Sequence, residues 1–239
     1  MSNIPNQVAE INHQAFYRSR EISLMFSQLS SFNCENNNVL EKYFLARSVV
    51  VFSYGTIEKF VKTLTHIALT AILDNQYFPN NTKDLLCVIK AQKDTPNLFN
   101  ILMHYKYNSG NDHTFEYSKD KSYFSNLGRV NSFIIAHICD VLNLNKTEPL
   151  LKIPKLTLDT LYKNRTTLAH GDYIVDLKKF FNPSKCSITI NDIDDYIYDN
   201  FKLTDNTKDE LLNFINDFKN KIILLLNEIE EYKKFSSCG

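Results

Sequence analysis

Glycine and proline are scarce in this chain, at five and six in 239 residues. So few turn-formers and breakers argue against a many-stranded sheet and favour long helices. An excess of one charge is also missing: Lys and Arg number 27, and Asp and Glu number 27. That balance excludes a general nucleic-acid coat, because binding phosphates needs clustered Lys and Arg. There is no CxxC pair. The five cysteines (Cys34, Cys87, Cys139, Cys186 and Cys238) are odd in number and widely spaced. This argues against a zinc site and a disulfide framework, and fits a reducing cytoplasm. No basic segment followed by an apolar stretch opens the chain, so no signal peptide is expected. The strongly apolar run near the end, Ile222 to Leu226, is far too short to span a bilayer. P-loop, GxSxG, HExxH and EF-hand patterns are all absent.

What is present is an ordinary globular balance. Apolar residues are 44% and charged residues 23%, enough to bury a real core in a chain of this length. We read residues 1–239 as a single domain, with no internal repeat and no obvious linker. Apolar residues recur at helical spacing over residues 7–29 (Val8, Ile11, Ala15, Ile22, Met25, Phe26, Leu29). Residues 39–74 are apolar on most faces, which places that helix in the middle of a bundle. Gly55 interrupts it and marks either close packing or a kink. Short helices are expected over 83–91 and 96–103, and an apolar helix over 130–142. Residues 155–170 form a further helix, with Gly171 in the position of a left-handed stop. The last helix covers 205–234. Residues 104–126 are polar and aromatic, and read as a long irregular loop. Ile188 and Ile190 alternate with polar neighbours, so a short β-hairpin is expected near 186–198. The fold class is all-α, an elongated helical bundle with a long loop insertion.

Charge is uneven along the chain. Residues 151–185 carry seven basic side chains (Lys152, Lys155, Lys163, Arg165, Lys178, Lys179, Lys185) against three acidic. Residues 191–217 carry eight acidic side chains against Lys202 and Lys208. Two solvated faces of opposite sign account for this, unless the basic stretch also carries chemistry.

It contains the segment Tyr162-Lys163-Asn164-Arg165-Thr166-Thr167-Leu168-Ala169-His170-Gly171-Asp172. Arg-x4-His alone is a weak signal. With an apolar-Ala pair before the His and Gly-Asp after it, at the end of a late helix, it is stronger. The segment resembles the motif of the HEPN superfamily, whose nucleases carry Arg, four to six residues, then His near the end of a core helix. It is similar to the pattern Arg-Asn-x-Ile-Ala-His-Gly of the RiboL-PSP and MAE-type branch. Ser125-Asn126-Leu127 before an apolar helix, and the connector Leu142-Asn143-Leu144, resemble that branch too. Thr166 departs from it, standing where members often have Asn, His or Asp. Asn164 comes before the Arg instead.

The resemblance implies a HEPN-like fold and a homodimer in which two Arg-His pairs line one composite cleft. It implies a metal-independent endoribonuclease without cofactor, of the kind found as toxins in bacterial defence and toxin–antitoxin systems. RNA is the substrate, and an antitoxin or partner defence subunit would restrain the enzyme. His170 takes the 2′-hydroxyl proton as general base, its ordinary pKa of about 6.5 lying close to neutrality. Arg165 holds the scissile phosphate and stabilises its growing charge. Products are a 2′,3′-cyclic phosphate and a 5′-hydroxyl, so DNA is not cut. Residues five apart on a helix differ in direction by about 140°. The long Arg side chain and a final turn that can unwind before Gly171 bridge that difference.

Thr166, Asn164 and Glu58 are supporting candidates, and Lys163, Lys178 and Lys179 are candidate substrate contacts. For Glu58 we favour an ordinary helix pair with Lys62, four residues on. Tyr54 and His66 on the same helix read as core or rim. His104 and His113, among Tyr105, Tyr107, Phe115, Tyr117 and Tyr123, offer either a base-stacking surface or a loop pinned to the bundle. We favour the pinned loop. Two other readings of the motif remain. One is a non-catalytic HEPN-like interaction or sensor module in a defence complex. The other is an unrelated helical adaptor, in which Arg165 makes a surface salt bridge and His170 caps a helix.

Overall fold

A computed structural model of the chain describes residues 3–32, 39–75, 77, 130–169 and 190–236. Every regular element among these residues is helical, and none is a strand. The all-α expectation therefore holds. In chain order the helices are α1 (Ile4–Ser30), α2 (Val39–Asp74), α3 (Ser132–Val141), α4 (Lys155–Ala169), α5 (Ile190–Tyr196) and α6 (Asp205–Ser236). A π-helical turn, Ile197–Phe201, continues directly from α5. The loop expected at 104–126 and the short helices expected at 83–91 and 96–103 lie outside the described residues.

The expected β-hairpin is corrected. From residue 190 to 198 the chain is helical, while 186–189 lie outside the described residues. The reason is spacing. Ile193, Ile197 and Phe201 are four apart and all buried. A strand would send residues four apart to one face but would bury alternate residues between them. Here Asp195 and Asp199, which would share that face, are exposed.

The chain divides into two compact units. One comprises Met1–Ala15, Lys59–Ile153 and Asn216–Gly239; the other comprises Phe16–Glu58 and Pro154–Ile215. Helices α1, α2 and α6 contribute residues to both.

In the first unit the buried side chains include Ile4 and Ile11 of α1, and Phe60, Leu64 and Leu69 of α2. Ile135 of α3 and Phe218, Ile222, Leu226 and Ile229 of α6 join them. Phe60 and Phe218 meet edge to face with centroids 6.1 Å apart, a favourable aromatic geometry. Helix α3 starts where Asn131 Oδ1 accepts from the Ile134 amide at 2.9 Å, a side-chain N-cap. It ends in a Schellman motif. Asn143 adopts φ 52°, the Leu144 amide donates to the Cys139 carbonyl at 2.8 Å, and the Asn143 amide donates to the Asp140 carbonyl at 3.1 Å. Asn suits that position because its short polar side chain tolerates the left-handed region.

In the second unit α2 buries Tyr43, Ala46, Val50, Tyr54 and Ile57, a run of three- and four-residue steps. Tyr43 stacks on Phe201 at 6.1 Å and meets Tyr196 edge-on at 5.8 Å. Lys42 pairs with Asp194 at 2.7 Å, beside the same aromatic cluster. Between α1 and α2, the Thr56 hydroxyl donates to Glu21 Oε2 at 3.1 Å. The same carboxylate takes Arg18 at 2.9 Å. Thr204 precedes helix α6, and its Oγ1 accepts from the Thr207 amide at 3.2 Å. Asp205 in the first turn complements the helix dipole.

Of the two readings of Gly55, close packing is corrected. The residue is exposed in the middle of α2, and among the described residues a Cβ added there would meet nothing within 4 Å.

Candidate functional site

Helix α4 presents the motif. Pro154 precedes its first residue, and the Leu158 amide donates to the Pro154 carbonyl at 3.0 Å. Pro is favourable at a helix start because its missing N–H would be unsatisfied there anyway. Leu158 and Leu161 are buried, while Asp159, Lys163 and Thr167 are exposed. That burial seats one face of α4 in the second unit. It leaves Tyr162 and Arg165, three apart and hence on one face, half-buried at its margin.

Arg165 lies over an aromatic ring. Its guanidinium carbon is 5.6 Å from the ring centroid of Tyr54, on α2. Tyr54 is only 3% exposed, and its ring is 5.9 Å from that of Tyr162, tilted by 43°. Among the described residues no carboxylate pairs with Arg165. A stacked guanidinium keeps its edge N–H groups available for a planar or tetrahedral anion. The surface salt bridge that a non-functional reading requires of Arg165 is absent among the described residues.

Glu58 lies one helical turn beyond Tyr54 on α2 and is half-buried, so it shares the Tyr54 face of the helix. The other candidates on α4 are engaged elsewhere. The Asn164 amide donates to the carbonyl of Asn200, in the π-helical turn, at 2.9 Å. The Thr166 hydroxyl donates to the Tyr162 carbonyl at 2.9 Å, and the Thr167 hydroxyl to the Lys163 carbonyl at 3.1 Å. These are back-bonds of hydroxyls within their own helix. Lys163 is exposed. His170, Lys178 and Lys179 lie outside the described residues.

Tyr54 is buried, as its reading as core or rim expects, but nothing in that reading makes it the seat of Arg165. Two signals bear on it: Tyr162 stands three residues before Arg165, and Tyr54 four before Glu58.

Cys139 is buried and free. Burial, then the nearby Asp140 charge, pushes its thiol up to about 12. Such a thiol is a poor nucleophile. Among the described residues no cluster of three His, Cys, Asp or Glu side chains is placed to hold a metal ion. No helix among them is long and apolar enough to cross a membrane. No protein-family model, curated protein or solved structure matches the chain.

Proposed function

We propose that this chain is a HEPN-type, metal-independent endoribonuclease of a bacterial defence or toxin–antitoxin system, acting in the cytoplasm as a homodimer. The observation that carries the reading is Arg165. It sits on Tyr54 with no carboxylate partner among the described residues, five positions before His170. A cation held by a ring face and free at its donor edge is suited to a phosphodiester. His170 takes the proton from a ribose 2′-hydroxyl. The 2′ oxygen then attacks phosphorus, while Arg165 stabilises the charge on the non-bridging oxygens. The bond from phosphorus to the 5′ oxygen breaks, and that oxygen leaves with a proton. The second His170 of a dimer supplies that proton. An antitoxin or partner subunit keeps the activity in check.

The test uses purified full-length chain and a single-stranded RNA in excess EDTA. Cleavage is expected to persist and to leave 2′,3′-cyclic phosphate and 5′-hydroxyl ends. A matching oligodeoxynucleotide is expected to stay whole. Loss of cleavage in EDTA, or cutting of the DNA, contradicts the reading.

A second reading is a non-catalytic HEPN-like interaction or sensor module in a defence complex. The observation favouring it is that Thr166 and Asn164, the polar neighbours of Arg165, are both engaged in structural hydrogen bonds. RNA that stays whole with pure protein, and with any partner purified alongside it, favours this module.

A further inference from the structure

We infer that Tyr54 is the positioning residue for Arg165, and that its ring face sets the guanidinium for a phosphodiester anion; this rests on the nuclease reading above. Three observations converge. The guanidinium carbon lies 5.6 Å from the Tyr54 centroid, within cation–π range. Tyr54 is 3% exposed and is braced by Tyr162, which approaches to 5.9 Å from α4 itself. The ring is therefore a fixed platform and not a mobile surface group. Finally, no carboxylate among the described residues holds Arg165 from its edge.

Arginine side chains carry a large rotamer entropy. A free surface arginine loses much of that on gripping a phosphate. One already held by a ring face loses less. A carboxylate would also hold the side chain, but it would occupy the donors that the phosphate needs. An aromatic face restrains the cation and leaves those donors open. Tyr54 touches no substrate in this scheme and acts only through Arg165.

The test is a double-mutant cycle on the full chain. The probe is a short single-stranded oligodeoxynucleotide, which the proposed chemistry binds without cutting. Its dissociation constant is measured for wild type, Tyr54→Phe, Tyr54→Leu, Arg165→Ala and the Tyr54→Leu/Arg165→Ala pair. Tyr54→Phe keeps the ring and is expected to bind as wild type. Tyr54→Leu removes it and is expected to weaken binding about tenfold, the order of a desolvated cation–π contact. In the Arg165→Ala background the same change is expected to do nothing further, because the cation through which it acts is gone. An equal loss from Tyr54→Leu in both backgrounds overturns the inference. So does a Tyr54→Phe variant as weak as Tyr54→Leu.

If Arg165→Ala alone binds as wild type, it is the nuclease reading that fails. Should Tyr54→Leu not fold, side-chain NMR of the wild type decides. Ring current from Tyr54 is expected to shift the Arg165 Hδ signals upfield, and to do so equally in Tyr54→Phe. Unshifted signals overturn the inference.

Discussion

The ammonium of Lys221, 6% exposed, donates to both the carbonyl and the hydroxyl oxygen of Thr147. It thereby ties the connector after α3 to α6 within the first unit. A buried lysine is tolerated only where its donors are met. Thr147→Val removes the hydroxyl and keeps the shape. We expect it to destabilise the chain by about 1 kcal/mol, one hydrogen bond's net worth. Urea unfolding measures this, and an unchanged midpoint contradicts it.

Gly55→Ala is expected to stabilise. The position is exposed, helical and open around an added Cβ. Glycine inside a helix costs roughly 0.5–1 kcal/mol relative to alanine. A rise in melting temperature of roughly 1–4 °C follows for a chain of this size. A fall shows that the glycine has a packing role.

Cys139 makes stability depend on pH in the alkaline range. Its thiol is pushed up to about 12 in the folded chain, from 9.0. Below pH 9 both folded and unfolded thiols are protonated, and the contribution is fully present. As pH rises from 9 towards 12 the unfolded thiol ionises first, and stability is lost at about 1.4 kcal/mol per pH unit. Cys139→Ala is expected to lose stability less steeply over that window. Parallel curves for the two proteins contradict the burial of the thiol.

Asn164 acts as a structural tie between α4 and the π-helical turn, through its 2.9 Å bond to the Asn200 carbonyl. Asn164→Ala is expected to cost about 1 kcal/mol of stability. A thermal melt checks it. A melt that does not move shows that the tie is not formed in solution.

Much of this fold is legible in the sequence where long apolar periodicity is present. The reading of 39–74 coincides with α2, and that of 155–170 with α4 to within one residue. Burial of one stripe dominates local propensity in helices this long. The first helix begins three residues earlier than read, at Ile4, which is itself buried. The sequence around α5 suggests a hairpin because Ile188 and Ile190 alternate with polar residues, and a short run satisfies two periods at once. The longer sequence Ile193, Ile197, Phe201 resolves the ambiguity.

For the candidate site, Arg165 was legible from its motif. Its seat was not. Tyr54 and Arg165 come from distant parts of the chain, and no local pattern encodes which ring a guanidinium will cover. The engagement of Asn164 and Thr166 was equally hidden, because the side-chain types alone do not show which acceptor they reach.

The most direct measurement is induced expression of wild type beside Arg165→Ala and His170→Ala, with growth and total-RNA integrity followed together. Wild type is expected to arrest growth and fragment RNA, and both variants to do neither. Whole RNA in all three, or fragmentation that survives both substitutions, contradicts the assignment of Arg165 and His170 to ribonuclease chemistry.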